Sequence, residues 1–188
     1  MEQIRKYFDK TFKLTEYEWQ VFSCKLIKQD FPKKHILLEA GQIENNLSFI
    51  ESGILRSYIP KEENDLTFGF SFSNSFVSGY NSFLTRKPSI YNIQALKRTT
   101  LWQLSYDDLQ EIYRQTKIGN AIGRKASEEL FLKKSQRELS LLNETAEQRY
   151  LNLFTEQPEL IKEIPLKYIA SYIGITPQAL SRIRRRIS

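Results

Sequence analysis

Cysteine and histidine are almost missing: Cys24 and His35 each stand alone in 188 residues. A single thiol excludes an intrachain disulfide and any multi-cysteine zinc or iron–sulfur site. His35 follows Pro32-Lys33-Lys34 at the start of an extended run and reads as structural rather than as a ligand or base. The chain also lacks a glycine-rich phosphate loop, a G-x-S-x-G nucleophile turn and a cluster of metal-ligating side chains, so no enzyme activity and no cofactor are expected. No apolar run has the length needed to cross a bilayer, and the opening M-E-Q-I-R-K-Y-F-D-K has no signal-peptide core. A cytoplasmic protein without a membrane partner is the expectation. One further absence is local: Pro165 to Ser188 contains neither Asp nor Glu, yet holds Lys167, Arg182, Arg184, Arg185 and Arg186. Such a segment suits a polyanion.

What is present supports that reading. Hydrophobic residues make up 40% of the chain, enough for a buried core in one large domain or two small ones. The formal net charge of +6 fits a nucleic-acid binder, although charge alone also fits many other proteins.

Within the acid-free segment, Leu166, Ile169, Ala170 and Ile173 recur at helical spacing, Gly174 interrupts them, and Ala179, Leu180, Ile183 and Ile187 resume the pattern. Gly174 suits a left-handed helix end, Thr176 an N-cap and Pro177 a first helical position. This is the pattern of a helix-turn-helix. An ordinary αα-hairpin with a solvated arginine face accounts less well for the small Ala170, the turn glycine and the Thr/Gln/Ser/Arg face occurring together. Gln178, Ser181 and Arg182 share one face of the second helix, where Arg182 can donate two bonds to guanine and Gln178 can pair with adenine. Arg184 to Arg186 are expected to touch phosphate or solvent.

Further upstream, Ile4, Tyr7, Phe8 and Phe12, then Tyr17, Phe22 and Leu26, outline two amphipathic helices, the second opened by a capping box at Thr15 to Glu18. From Phe31 to Leu104 the chain turns to short β-branched and aromatic runs, 47–50, 55–59, 66–72 and 100–104, separated by Gly, Asn, Pro and Ser. A sandwich or roll is expected. Helix resumes at Ser105 to Asp108. A long stretch follows, roughly Ile118 to Leu142, with Ile118, Ile122, Ala126, Leu130, Leu132 and Leu139 as its imperfect apolar stripe, suited to docking on the roll or pairing with a second copy. Asn143-Glu144 marks a joint, Thr145 to Gln148 opens the next helix, and Pro158 is expected to end it.

In this order the chain resembles the Crp/Fnr family of transcription regulators. The resemblance rests on E-A-G-Q-I-E-N-N-L-S-F-I-E-S-G-I-L-R-S-Y (39–58) in the roll. It rests more on T-A-E-Q-R-Y-L-N-L-F (145–154) followed by I-P-L-K-Y-I-A-S-Y-I-G-I-T-P-Q-A-L-S-R-I-R (164–184). It implies an α+β chain with an N-terminal double-stranded β-helix (jelly-roll) sensor domain of the cyclic-nucleotide-binding type over 1–114, a dimerisation helix over 115–142 and a helix-turn-helix DNA-binding domain over 143–188. The implied function is a homodimeric, sequence-specific regulator on an inverted repeat of double-stranded DNA, with RNA polymerase as a candidate partner. Thr176, Gln178, Ser181 and Arg182 fall at the family's DNA-contacting positions, joined by Lys167 and Arg185 from the basic segment, while Pro177 replaces a base-reading polar residue.

The cassette for cyclic phosphate departs from the family. Cyclic-AMP-responsive members carry a Gly-Glu pair and a later Arg-Ser or Arg-Thr. Here Gly79 is followed by Tyr80, and Ser89-Ile90 falls where the Arg-Ser is expected. Arg86 and Lys87 lie in the loop before that position and read as solvated charges. The candidate pocket residues are Gly79, Tyr80, Asn81, Phe83, Arg86, Ser89, Ile90 and Tyr91. They suit a smaller or more apolar effector than cyclic AMP in its usual pose, or a pocket closed by its own side chains in an effector-independent regulator.

Overall fold

A computed structural model describes residues 1–187, the side chain of Ile118 excepted, so that member of the expected stripe lies outside the described residues. The elements run α1 (Glu2–Asp9), α2 (Glu16–Ser23), β1 (Ile27–Phe31), β2 (Ile36–Leu38), β3 (Asn46–Ser52), β4 (Ile54–Ile59), β5 (Leu66–Phe72) and β6 (Phe76–Val77). They continue with α3 (Tyr80–Thr85), β7 (Asn92–Ala95), β8 (Thr99–Ser105), α4 (Tyr106–Gln115), α5 (Lys117–Asn143), α6 (Ala146–Glu156), α7 (Pro158–Glu163), α8 (Leu166–Tyr172) and α9 (Pro177–Ile187).

The strands form two four-stranded sheets, ordered β1-β8-β3-β6 and β2-β7-β4-β5, a roll of antiparallel ladders. Alternation along β3 and β8 divides the core. Ile50 and Leu101 join Leu38, Leu55, Ile93 and Ala95 in one cluster. Phe49 and Leu104 turn the other way, onto Ile4, Phe8 and Phe22 of the N-terminal helices and Leu109 and Ile112 of α4. Phe8, Phe22, Phe49 and Phe76 meet there mostly edge to face, the arrangement their ring quadrupoles favour. Both expected caps form: Thr15 and Glu18 make the reciprocal bonds of a capping box, and Ser105 accepts from the Asp108 amide.

Two compact units divide the chain. The first comprises 1–59 and 70–126, the second 60–69 and 127–188, so the boundaries fall at the end of β4, within β5 and within α5. The second unit is mostly helical, with the first half of β5, and its core includes Tyr150, Leu153, Leu160, Ile164, Ile169, Ala170, Ile173, Leu180 and Ile183. Thr145 and Gln148 cap α6 reciprocally. As expected, α6 ends just ahead of Pro158, at Glu156 with Gln157 as its C-cap. Pro158 also opens α7 from its first turn, a position where its missing N–H costs nothing.

Candidate nucleic-acid interface and roll cassette

The turn between α8 and α9 is built by hydrogen bonding. Gly174 takes φ +80°; its amide donates to Ser171 O (3.1 Å) and the Ile175 amide to Ala170 O (3.0 Å), the paired bonds of a Schellman motif. Thr176 Oγ1 accepts from the Ala179 amide at 3.2 Å and starts α9. Leu180 and Ile183 of α9 are buried, as are Ile169 and Ala170 of α8. The opposite face of α9 is left outward. Gln178, Ser181, Arg182 and Arg185 are all exposed, as are Thr176 and Lys167. Lys167 is held 4.8 Å from the Tyr168 ring, and Arg186 is tied to Glu147 at 2.7 Å. Arg186 is therefore engaged within the protein, whereas Arg182 and Arg185 project from an acid-free segment of the chain.

Three residues that sequence reasoning did not single out brace this turn. Arg137 of α5 donates to Tyr172 O at 2.6 Å and lies 3.8 Å from the Tyr172 ring centroid. Arg149 of α6 donates to Ile173 O at 2.9 Å and also bonds Glu144 O. Ser171 accepts from the Thr67 amide (2.8 Å) and donates to Asp65 O (2.7 Å). Arg149 was within a quoted motif, but nothing in its spacing identified its target carbonyl.

Several polar groups of the cassette are bonded to the chain itself. Gly79 precedes α3, and its amide donates to Glu44 Oε2 at 3.0 Å, while Glu44 Oε1 accepts from the Asn46 amide at 2.9 Å. Burial pushes the Glu44 carboxyl above its ordinary pKa, opposed by those backbone donors and by the nearby Arg86. Arg86 is not the solvated loop charge expected. It ends α3 with φ +55°, donates to Glu44 O (2.7 Å) and Asn45 Oδ1 (2.5 Å), and sits 4.3 Å over the Tyr106 ring. Lys87 remains exposed. Of the candidate pocket residues, Gly79, Arg86 and Tyr91 lie near Glu44, and Tyr91 also lies near Tyr80. Phe83 is in the aromatic core, stacked with Tyr80, and buried Ser89 bonds Tyr91 O at 2.8 Å; Asn81 and Ile90 are exposed, Ile90 by 69%.

Long helix α5 carries its own signal. Phe131, Leu132, Leu139 and Leu142 are 70%, 64%, 55% and 74% exposed, far more than apolar side chains on a completed surface. Leu132, Leu139 and Leu142 follow the seven- and three-residue steps of a heptad seam.

Residues 28–116 match the family model of the cyclic nucleotide-binding domain. No curated protein matches the chain in sequence. Among solved structures, a putative transcriptional regulator of the Crp/Fnr family from Eubacterium rectale superposes with a TM-score of 0.74 at 20% identity, covering 97% of this chain and 87% of its own. CLP of Xanthomonas campestris, a global regulator described as responsive to c-di-GMP, gives 0.71 at 17% identity over 92% and 91%. FixK2 of Bradyrhizobium japonicum gives 0.74 at 12% identity over 86% and 84%. The chain thus has the fold of these regulators: a cyclic-nucleotide-binding-type roll, a long helix and a helical C-terminal part. No described helix is long and apolar enough to cross a membrane.

Proposed function

We propose that this chain is a Crp/Fnr-type transcription regulator that binds double-stranded DNA as a homodimer. The carrying observation is α9, the second helix of a Schellman-turned helix-turn-helix, which exposes Gln178, Ser181 and Arg182 within an acid-free segment. Such a helix enters the major groove with its N-terminal half on the base edges. Arg182 and Gln178 would read bases, while Arg185, Lys167 and Thr176 would hold phosphate. The exposed seam of α5 supports pairing with a second copy, since burying those side chains contributes about 25 cal/mol for each Å² of apolar surface taken out of water. Two-fold pairing asks for an inverted repeat with half-sites about 34–36 Å apart.

The cassette favours the effector-independent form of this reading. A buried cyclic phosphate needs a positive partner. Arg86 is committed to Glu44 O, Asn45 and Tyr106, and the Gly79 amide already holds a carboxylate.

The test is selection of duplex sequences followed by binding at graded salt and by titration with cyclic AMP. The expected result is a dimer on an inverted repeat, with affinity falling steeply as salt rises and no response to the nucleotide. A micromolar monomer without salt-sensitive retention on duplex DNA refutes the regulator. Cyclic AMP binding that is lost on changing Arg86 or Ser89 refutes the closed cassette.

A further inference from the structure

A helix leaves its last four carbonyls without intrahelical donors, and at the end of α8 each acceptor can be traced. Ala170 O and Ser171 O are satisfied by the Schellman amides of Ile175 and Gly174. Tyr172 O receives Arg137 from α5, and Ile173 O receives Arg149 from α6. A guanidinium is well matched to this place, because the partial negative charge at a helix C-terminus attracts a cation. Arg137 is also set on the Tyr172 ring, so the carbonyl and the aromatic face of one residue hold the same planar group.

Arg149 does more than fill a carbonyl. Its second bond goes to Glu144 O, at the joint between α5 and α6, so one side chain spans that joint and the turn. The joint is itself fastened, since the Glu144 carboxylate accepts from Ser140 Oγ (2.6 Å) and Asn152 Nδ2 (3.2 Å). The turn between the two helices of the reader is thereby tied to the long helix at one residue and to the following helix at the next.

We propose that Arg137 is a positioning residue for DNA recognition: with Arg149 it locks the pitch of α9 to the axis of α5, so that dimerisation along α5 presents two recognition helices at one fixed spacing. This rests on the reading of α9 as a DNA reader and α5 as the dimer helix. Arg137 need not touch DNA. Its removal frees a hinge at the joint and costs preorganisation, a loss felt where two readers must fit together and little where one reader can adjust alone.

The experiment uses the full chain with Cys24→Ser, spin labels at Glu138→Cys on α5 and Arg184→Cys on α9, and excess unlabelled chain so that only intramolecular distances are read. The expected distance distribution is narrow with Arg137, wider in Arg137→Lys, which keeps one donor and loses the stacked plane, and widest in Arg137→Ala. In the unlabelled chain, Arg137→Ala is expected to weaken binding to a full inverted repeat by about 5- to 150-fold, leaving a single half-site within about twofold. The salt slope stays unchanged because no phosphate contact is lost. Distributions equally narrow in all three chains, or equal losses on full and half-sites, overturn the proposal. If Arg137→Ala fails to fold, Arg137→Lys decides by the same readouts. Wild-type failure to bind duplex DNA would refute the regulator, while the label distances would still decide the lock.

Discussion

Gly53 and Gly174 both require positive φ, yet only one of them is crowded, and the pair turns backbone geometry into a quantitative test. A Cβ on Gly53 (φ +120°) would overlap the Thr99 hydroxyl and lie 2.7 Å from Thr99 Cβ and 2.8 Å from Thr99 Cα. A Cβ on Gly174 (φ +80°) would find only Leu141 Cδ2 at 3.8 Å and Arg149 Nη2 at 3.9 Å, ordinary contacts. Gly174→Ala therefore incurs the backbone penalty alone, about 1–2 kcal/mol. Gly53→Ala adds overpacking of about 1–3 kcal/mol, giving about 2–5 kcal/mol against a typical domain stability of about 5–15 kcal/mol. Shortening residue 99 gives only partial relief, because its Cα is among the atoms overlapped. The assay follows from the two tryptophans, Trp19 and Trp102, which both belong to the first unit. Urea unfolding followed by tryptophan fluorescence should shift markedly for Gly53→Ala and hardly for Gly174→Ala. The Gly174 variant should instead lose far-UV helical signal early and bind DNA more weakly. If Gly174→Ala moves the tryptophan transition as far as Gly53→Ala, the separation of clash from backbone strain, and of one unit from the other, is refuted.

Arg182→Ala is expected to cost about 1–3 kcal/mol and to relax preference at one base pair per half-site, whereas Arg185→Ala weakens all sequences alike and flattens the salt dependence; equal effects on specificity would refute that division. Leu139→Asp places a charge in the exposed seam of α5 and should convert dimer to monomer in sedimentation at micromolar concentration, with the first unit's melting unchanged; a persistent dimer places the interface elsewhere. Glu44 has a raised folded pKa through burial, so its stabilising contribution is full below the unfolded carboxylate value and is lost as pH rises through the folded value. Stability of Glu44→Gln should vary less with pH across that interval, measured by urea midpoints of the tryptophan signal; an unchanged profile counts against the buried carboxylate.

Local chemistry made much of the architecture legible. The capping boxes at Thr15 and Thr145, the turn at Gly174 and the strand runs 47–50 and 100–104 each depend on residues within a few positions of one another, and each formed where its pattern indicated. Pro158 marked the end of α6 but gave no sign of the short α7 it begins, because proline stops one helix and opens another with equal ease. The braces on α8 were hidden for a different reason. Arg137 and Arg149 bond backbone carbonyls 35 and 24 positions away, and a carbonyl carries no mark in the sequence.

The cassette was less legible. Ser89-Ile90 and Gly79-Tyr80 stand where the family's charge pair for a cyclic phosphate is expected, which left Arg86 and Lys87 as the nearby cations. Their position in a loop made solvation the natural expectation. Folding instead turns Arg86 back through a left-handed helix end onto Glu44 O and Tyr106, and brings the Glu44 side chain to the Gly79 amide. The desolvated carboxylate is balanced by the neighbouring Asn45 and Asn46 amides together with the distant Gly79 amide and the Arg86 guanidinium. An anion bound there in place of the Glu44 carboxylate would compete with the Gly79 and Asn46 amide bonds, and to gain Arg86 it would have to draw that side chain from Glu44 O and the Tyr106 ring. The Gly79 amide and Arg86 are thus bonded to Glu44 where the usual Gly-Glu and Arg-Ser pairs are missing, and this bonding is what supports the proposed effector-independent reading.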